Sequence, residues 1–135
     1  MTYLVDVNVL SEPTRPAPDA KVVSWLSANE GDFAVDSITL GELRIGILTL
    51  LPGRKRTLLE RWFADVVETI DCLPWDAAAS RCWAELVVES RRKGRLLPLL
   101  DGMIAATALA HGLTIATRNI QHFRQAGAKV FDPFA

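Results

Sequence analysis

Tyr3-Leu4-Val5-Asp6-Val7-Asn8-Val9-Leu10 is the stretch on which the architecture turns. Five of its eight residues are aliphatic, and Tyr3 to Val7 has the aromatic and β-branched content of a short strand covered on both faces. An acid at its end is costly to bury unless it caps a helix, pairs with a cation or binds a metal. Two further carboxylates sit in comparable settings: Glu42 in Ile38-Thr39-Leu40-Gly41-Glu42-Leu43, and Asp101 in Leu99-Leu100-Asp101-Gly102-Met103-Ile104-Ala105-Ala106.

Outward from this segment, strands and helices alternate. Pro13, Pro16 and Pro18 forbid regular structure directly after the first strand. Asp19 then caps a helix carrying Val22, Val23, Trp25 and Leu26, and Gly31 stops it before a second strand at Phe33 to Ser37. Thr39 and Glu42 have the spacing of a capping box for the next helix, whose Leu40, Leu43, Ile47, Leu48 and Leu51 recur at helical spacing. Gly41 and Gly46 leave room beside Glu42.

Pro52 and Gly53 break that helix, and a basic one follows with Leu58, Leu59, Trp62, Phe63, Val66 and Val67 as its stripe, so that Thr39 to Thr69 reads as a hairpin of helices. A third strand at Thr69 to Leu73 and a long helix from Asp76 to Arg92 come next. Asp101 opens an Ala-rich helix ended by Gly112. Leu113 to Thr117 is a fourth strand, Asn119 caps a short helix, and Ala128 to Phe131 is a final edge strand. Short apolar strands alternating with helices predict a three-layer α/β/α domain with a mostly parallel sheet, one domain over residues 1–135.

Composition excludes several classes. Half of the 135 residues are hydrophobic, enough for a core without disulfides. The net charge of −1 argues against an overall cationic surface, although Arg54, Lys55, Arg56 and Arg61 form one basic cluster and Arg91, Arg92, Lys93 and Arg95 another. Cys72 and Cys82 match neither a redox pair nor a zinc set and read as reduced, mostly buried thiols. No segment approaches the roughly 20 apolar residues of a membrane span, and the N-terminus lacks a signal peptide's basic and apolar regions. A cytoplasmic location without membrane contact is the expectation. Neither a Walker A loop nor a dinucleotide fingerprint occurs.

In open parallel sheets, ligands gather at the carboxyl ends of strands and at nearby helix N-termini, where Asp6, Glu42 and Asp101 all fall in this reading. Converging carboxylates need protons or a cation, and hard oxygen donors favour Mg²⁺ or Mn²⁺, which can activate water against a phosphate ester. Each acid also has a plain structural account: Asp6 as a turn former, Glu42 as half of a capping box, Asp101 as an N-cap. Spacing alone leaves the two accounts open. Asp6-Val7-Asn8 lacks the second carboxylate of aspartyl-phosphate phosphatases. His111 and His122 read as helix-end or surface residues, and the four tryptophans as core or interface.

Taken in order, Asp6-Val7-Asn8-Val9-Leu10-Ser11-Glu12, Thr39-Leu40-Gly41-Glu42-Leu43, Asp101-Gly102-Met103-Ile104-Ala105-Ala106-Thr107-Ala108, Ala116-Thr117-Arg118-Asn119 and the ending Asp132-Pro133-Phe134 resemble the motifs of the PIN-domain ribonucleases. The VapC and FitB type of bacterial toxin is the nearest pattern. That resemblance implies an α/β/α fold and Mg²⁺- or Mn²⁺-dependent cleavage of RNA, with Asp6, Glu42 and Asp101 as the catalytic, metal-site acids. It implies that Asn8, Thr117 and Asn119 support the site, while Arg118 contacts RNA phosphate or forms a structural salt bridge. The partners it implies are a cognate antitoxin, an RNA substrate and a second copy of the chain, in a homodimer and a toxin–antitoxin hetero-oligomer. Where the family often has a fourth acid this chain has Asn119, and His122 occupies a nearby position where some members have aspartate. The alternative implied by that departure is a catalytically weak PIN domain that binds RNA or protein.

Overall fold

The computed structural model describes residues 1–135. Five strands form one parallel sheet: β1 (Tyr3–Val5), β2 (Phe33–Asp36), β3 (Asp71–Leu73), β4 (Thr114–Ala116) and β5 (Val130–Phe131), in the order β3-β2-β1-β4-β5. The helices are α1 (Val7–Leu10), α2 (Ala20–Ala28), α3 (Ser37–Leu48), α4 (Arg54–Thr69), α5 (Ala77–Arg92), α6 (Leu99–His111) and α7 (Ile120–Gln125), with a 3₁₀ turn at Glu12–Thr14. Every strand pair is parallel, which completes the mostly parallel sheet read from the sequence.

The period of two along each strand builds two cores. Leu4, Ala34 and Ile115 pack with Ile104, Ala105, Ala108 and Phe123 beneath α6 and α7. Val5, Phe33, Val35 and Ala116 face the other way, onto Val9, Leu10, Val22, Leu43 and Val66 from α1 to α4. Alternate side chains of a strand point to opposite faces, so three or four apolar residues serve both layers. Alanines at 105, 106 and 108, all fully buried, let α6 lie close to the sheet.

The sheet order places a topological switch at β1. From β1 the chain winds outward through β2 to β3, then returns to β4 on the other side. The crevice at the carboxyl ends of β1 and β4 is where such sheets bind ligands. Register there is set by Val5 opposite Ala116, and the Asp6 N–H donates to the Ala116 carbonyl at 2.9 Å.

Several local expectations are corrected. The first strand ends at Val5, because Asp6 caps a short helix, α1, that precedes the prolines. α3 begins at Ser37 rather than after Thr39: Asp36, at the end of β2, accepts the Ile38 N–H at 2.7 Å and is the N-cap. Thr39 is fully buried, its Oγ1 without a hydrogen-bond partner, and no capping box forms. Glu42 therefore lies in the second turn of α3.

α6 starts at Leu99 with Pro98 as N-cap, so Asp101 is its third residue and caps nothing. Asn119 stands at the N-cap of α7, but its side chain makes no capping bond. Leu48, Leu51, Leu58 and Val67 are exposed, leaving only part of the hairpin stripe in the core. Cys72 is exposed too, on the edge strand β3.

Asp19 and Asp76 cap α2 and α5 as read, through bonds to the N–H groups of Lys21 (2.8 Å) and Ala79 (2.9 Å). Gly112 ends α6 in the left-handed region at φ 66°, where glycine carries no Cβ penalty. Gly102 is needed for a different reason: a Cβ there would stand 2.9 Å from Leu97 Cδ2.

Candidate active site

Asp6 is held from three directions at the end of β1. Its Oδ1 accepts the Val7 N–H at 2.8 Å; its Oδ2 accepts the Thr117 hydroxyl at 2.7 Å and the Asn8 amide at 3.2 Å. Thr117 follows β4 directly and is fully buried. Having spent its proton on Asp6, its oxygen accepts the Asn119 N–H at 3.0 Å. The Asn8 side-chain Oδ1 accepts the Arg118 backbone N–H at 3.1 Å. β1 and β4 are thus joined past their last paired residues by a side-chain network, and Asn8, Thr117 and the Asn119 backbone belong to it.

The other two acids face this network. Burial pushes the Asp6 carboxyl above the ordinary carboxylate range; the hydrogen bonds from Thr117 and Val7 pull it back, and the charge of Asp101 raises it. Glu42 is also pushed up, first by burial and then by the charges of Asp6, Asp101 and Asp36. Its Oε1 is buried without a partner. Gly41, on the same helix, has open space where a Cβ would stand. Charges far apart in sequence are therefore close enough in space for Asp101 to raise the proton affinity of Asp6, and for Asp6 and Asp101 to raise that of Glu42.

That donor set has the chemistry of a hard-cation site: mutually repelling carboxylates, one with an orphaned buried oxygen. The arrangement is open, since no three acidic, histidine or cysteine side chains close around a single point as they stand.

One residue near the site escaped the sequence reading, and two that it named were given no role there. Asp36 is fully buried, pushed up by burial, and contributes to the field on Glu42. Its position as the last residue of β2, followed by a helix, was the available signal. His122 is a surface residue, 60% exposed, as the sequence suggested, and its Nδ1 lies 3.3 Å from Asp101 Oδ2, which makes it a neighbour of the site as well. Glu12 is 4% exposed with an unpartnered Oε2, although it closes the first motif in plain view. Arg118 forms no salt bridge; its guanidinium lies 4.4 Å from the centre of the Phe134 ring. His111 is at the end of α6, and Trp25 packs among Tyr3, Phe33 and Phe131, as expected of core and helix-end residues.

The model of the PIN domain family matches residues 3–129. The chain belongs to the PIN-domain family. Among its relatives, the VapC ribonuclease Y4jK of Sinorhizobium fredii is 35% identical, the match spanning 97% of this chain and 96% of the relative. Toxin FitB of Neisseria gonorrhoeae is 37% identical over 97% of each. The solved structure of FitAB bound to an IR36 DNA fragment superposes with a TM-score of 0.93 at 34% identity, covering 99% of this chain and 96% of that one. The crystal structure of FitAcB from Neisseria gonorrhoeae gives 0.92 at 37% identity, covering 98% and 99%. The PIN fold and the toxin resemblance of the ordered motifs are thereby established together. No helix of this PIN domain is long and apolar enough to cross a membrane.

Proposed function

We propose that this PIN domain is a toxin-type endoribonuclease that hydrolyses RNA phosphodiesters with Mg²⁺ or Mn²⁺, in which Asp6, Glu42 and Asp101 hold the metal. The observation that carries this reading is the buried, unpartnered Oε1 of Glu42 in the field of Asp6 and Asp101. A divalent ion bound there supplies charge neutralisation and activates water for attack on phosphorus. The protein's own part is preorganisation. Thr117, Asn8 and the Val7 N–H fix both oxygens of Asp6, so that carboxylate needs no reordering when substrate arrives. Their hydrogen bonds also favour its charged, ligating form against the cost of burial. In this reading Arg118, whose backbone N–H is bonded to Asn8, contacts the RNA strand.

The experiment compares RNA cleavage by purified wild type, Asp6→Ala and Asp101→Asn, each shown to be folded, with Mg²⁺, with Mn²⁺ and with chelator. Cleavage that requires the ion and is lost in both variants supports the reading. Equal cleavage by all three proteins, or cleavage that persists in chelator, refutes it.

A second reading, a catalytically weak PIN domain that binds RNA or a protein partner, has its own observation. The side chain of Asn119 carries no charge for the site, and His122 sits on Asp101 where it competes for that carboxylate once protonated. RNA retention without turnover under either ion favours it.

The partner proposed with the main reading is a small antitoxin covering the acidic crevice, since the related chains were solved as FitAB and VapBC complexes, some of them on DNA. A homodimer and a toxin–antitoxin hetero-oligomer in the bacterial cytoplasm follow from the same reading. A short reading frame directly upstream and co-purification of its product test the pairing.

A further inference from the structure

The basic cluster at the end of α5 meets an arginine of α7 in the fold. Two adjoining hollows, of ≈ 150 and ≈ 300 Å³, separate α5 and the α5–α6 loop from α7, with Ser90, Arg95, Gln125 and Ala126 in the walls of both. Together they make one cleft. His122 lines one end, and the same imidazole stands 3.3 Å from Asp101 Oδ2, so the cleft begins at the flank of the acidic crevice. Lys93 and Arg124 line the other end.

Its charge is unlike that of the whole chain. Lys93, Arg95 and Arg124 stand with a single acid, Glu89, whose two oxygens already lie beside Lys93 Nζ (3.6 Å) and Arg92 Nη1 (3.8 Å), in a protein of net charge −1. Basic residues in the last turn of a helix ordinarily answer to its dipole, which accounts for Arg91 and Arg92. Arg95 lies past that turn. Gly94, at φ 66°, reverses the chain there, and the backbone N–H groups of Gly94 and Arg95 close α5 on the carbonyls of Arg91 (3.1 Å) and Ser90 (2.8 Å). The helix end therefore makes no call on the Arg95 side chain. Arg15, Arg44 and Arg56 each stand against a glutamate, whereas the exposed guanidiniums of Arg95 and Arg124 form neither an ion pair nor a hydrogen bond. Each keeps five N–H donors in a planar fork that matches phosphate oxygens.

We propose that this cleft carries the RNA backbone on one side of the bond to be cut, with Arg95 and Arg124 each contacting a phosphate and Ser90 and Gln125 as neutral hydrogen-bonding groups in the same walls. The reason is electrostatic. Asp6, Glu42 and Asp101 repel the strand they act on, so its flanking phosphates must be drawn by cations outside the acids, and this cleft adjoins Asp101 through His122. An acidic protein segment would meet the same charge, but a strand lying across Asp101 has to leave along a neighbouring surface. Phosphate contacts carry no base information, and the walls hold Leu96, Leu97 and Pro98 but no aromatic ring for stacking. Binding here is therefore indifferent to sequence. The inference rests on the ribonuclease reading for the identity of the bound strand, but not for its test.

The test is binding without cleavage. The 135-residue protein, kept free of divalent ions, is titrated against a fluorescent single-stranded RNA of about ten nucleotides at several salt concentrations, following anisotropy. Each single-stranded phosphate contact contributes about 0.7 to the slope of log affinity against log salt, so Arg95→Gln with Arg124→Gln lowers that slope by about 1.4 and weakens low-salt binding roughly tenfold. The loss is the same on RNAs of different base sequence. Arg54→Gln with Lys55→Gln removes the same charge from the other basic cluster, also exposed, and leaves the slope at its wild-type value. Equal losses from the two double variants assign binding to net charge and overturn the cleft, as does an unchanged slope when Arg95 and Arg124 are replaced. So does an aspartate-rich peptide whose binding needs both arginines while RNA affinity does not, which assigns the cleft to an acidic protein segment.

Cleavage measured separately with Mg²⁺ or Mn²⁺ keeps the two readings apart. RNA held through Arg95 and Arg124 but never cut retains the cleft and loses the nuclease assignment. Metal-dependent cutting by a protein whose salt slope is indifferent to both arginines retains the nuclease assignment and loses the cleft.

Discussion

Thr117 and Thr39 are both fully buried, and replacing each by valine separates a hydroxyl that matters from one that does not. Thr117 donates to Asp6 at 2.7 Å and accepts from Asn119 N–H at 3.0 Å; Thr39 Oγ1 has no partner. A hydrogen bond to a charged group contributes about 1.5–3 kcal/mol, and stranding the Asn119 N–H costs roughly 1 kcal/mol more. The added methyl returns about 1 kcal/mol. Thr117→Val is therefore destabilised by about 1.5–3 kcal/mol, a Tm lower by roughly 5–12 °C for a domain of this size. Thr39→Val exchanges an unsatisfied hydroxyl for a methyl and leaves stability unchanged or raises it by about 1 kcal/mol.

Urea unfolding with unchanged m-values measures both. Losing its strongest charge-favouring bond, Asp6 also shifts further up, so Thr117→Val binds Mn²⁺ more weakly at neutral pH while Thr39→Val does not. Stabilities of the two variants within about 0.5 kcal/mol of one another would falsify the claim that the Asp6 network is energetically distinct from ordinary burial.

The carboxyls of Asp6, Asp36 and Glu42 are all raised in the folded state, chiefly by burial. The native protein thus holds more protons than the unfolded chain between the ordinary carboxylate pKa values and the folded ones, and stability falls as pH rises through that window. Metal-free unfolding across pH 4 to 7 is expected to show this decline, and Mg²⁺ to offset it at the neutral end; stability that rises steadily with pH excludes it. His122→Asp replaces the base near Asp101 with a fourth acid and is expected to tighten Mn²⁺ binding severalfold by calorimetry; weaker binding than wild type counts against the placement of the site. On the α3–α4 hairpin, Ile45, Leu48, Leu51 and Leu58 are exposed, with Leu51 at 87%. Leu48→Glu with Leu51→Glu should shift light-scattering mass from dimer to monomer, and an unchanged mass in both proteins removes the hairpin from the interface.

Apolar runs and breakers made the alternation of strands and helices legible, because burial on two faces leaves near-continuous hydrophobic strands and prolines and glycines mark where the chain must turn. The starts of α3 and α6 were misread for one reason. A cap is a bond to a particular N–H, and Asp36 and Thr39 are equally good capping residues until the chain's path decides which one meets Ile38. The hairpin stripe was overread in the same way, since helical spacing marks a face without saying how much of it the sheet covers.

At the site, the acids announced themselves as charges in apolar surroundings, and the ordered motifs tied Asp6, Glu42 and Asp101 to one family. For His122 the family pattern marked the position, since some members have aspartate there, but nothing local in Asn119-Ile120-Gln121-His122 shows that α7 brings the imidazole to Asp101 across 21 residues of chain. Glu12 and Phe134 stand 122 positions apart and share a cleft because β4 lies between β1 and β5 in the sheet.

The sequence by itself determined the α/β class, the two-sided core and the family, since these depend on periodicity, composition and the order of motifs, all of them properties of the linear chain. The tertiary structure alone decided the β3-β2-β1-β4-β5 order, the sharing of Asp6 between Thr117 and Asn8, the mutual field of the acids and the cleft at Glu12. Those depend on distances of a few ångströms between residues up to 122 positions apart, and electrostatic and hydrogen-bond energies change steeply over such distances while sequence separation does not record them.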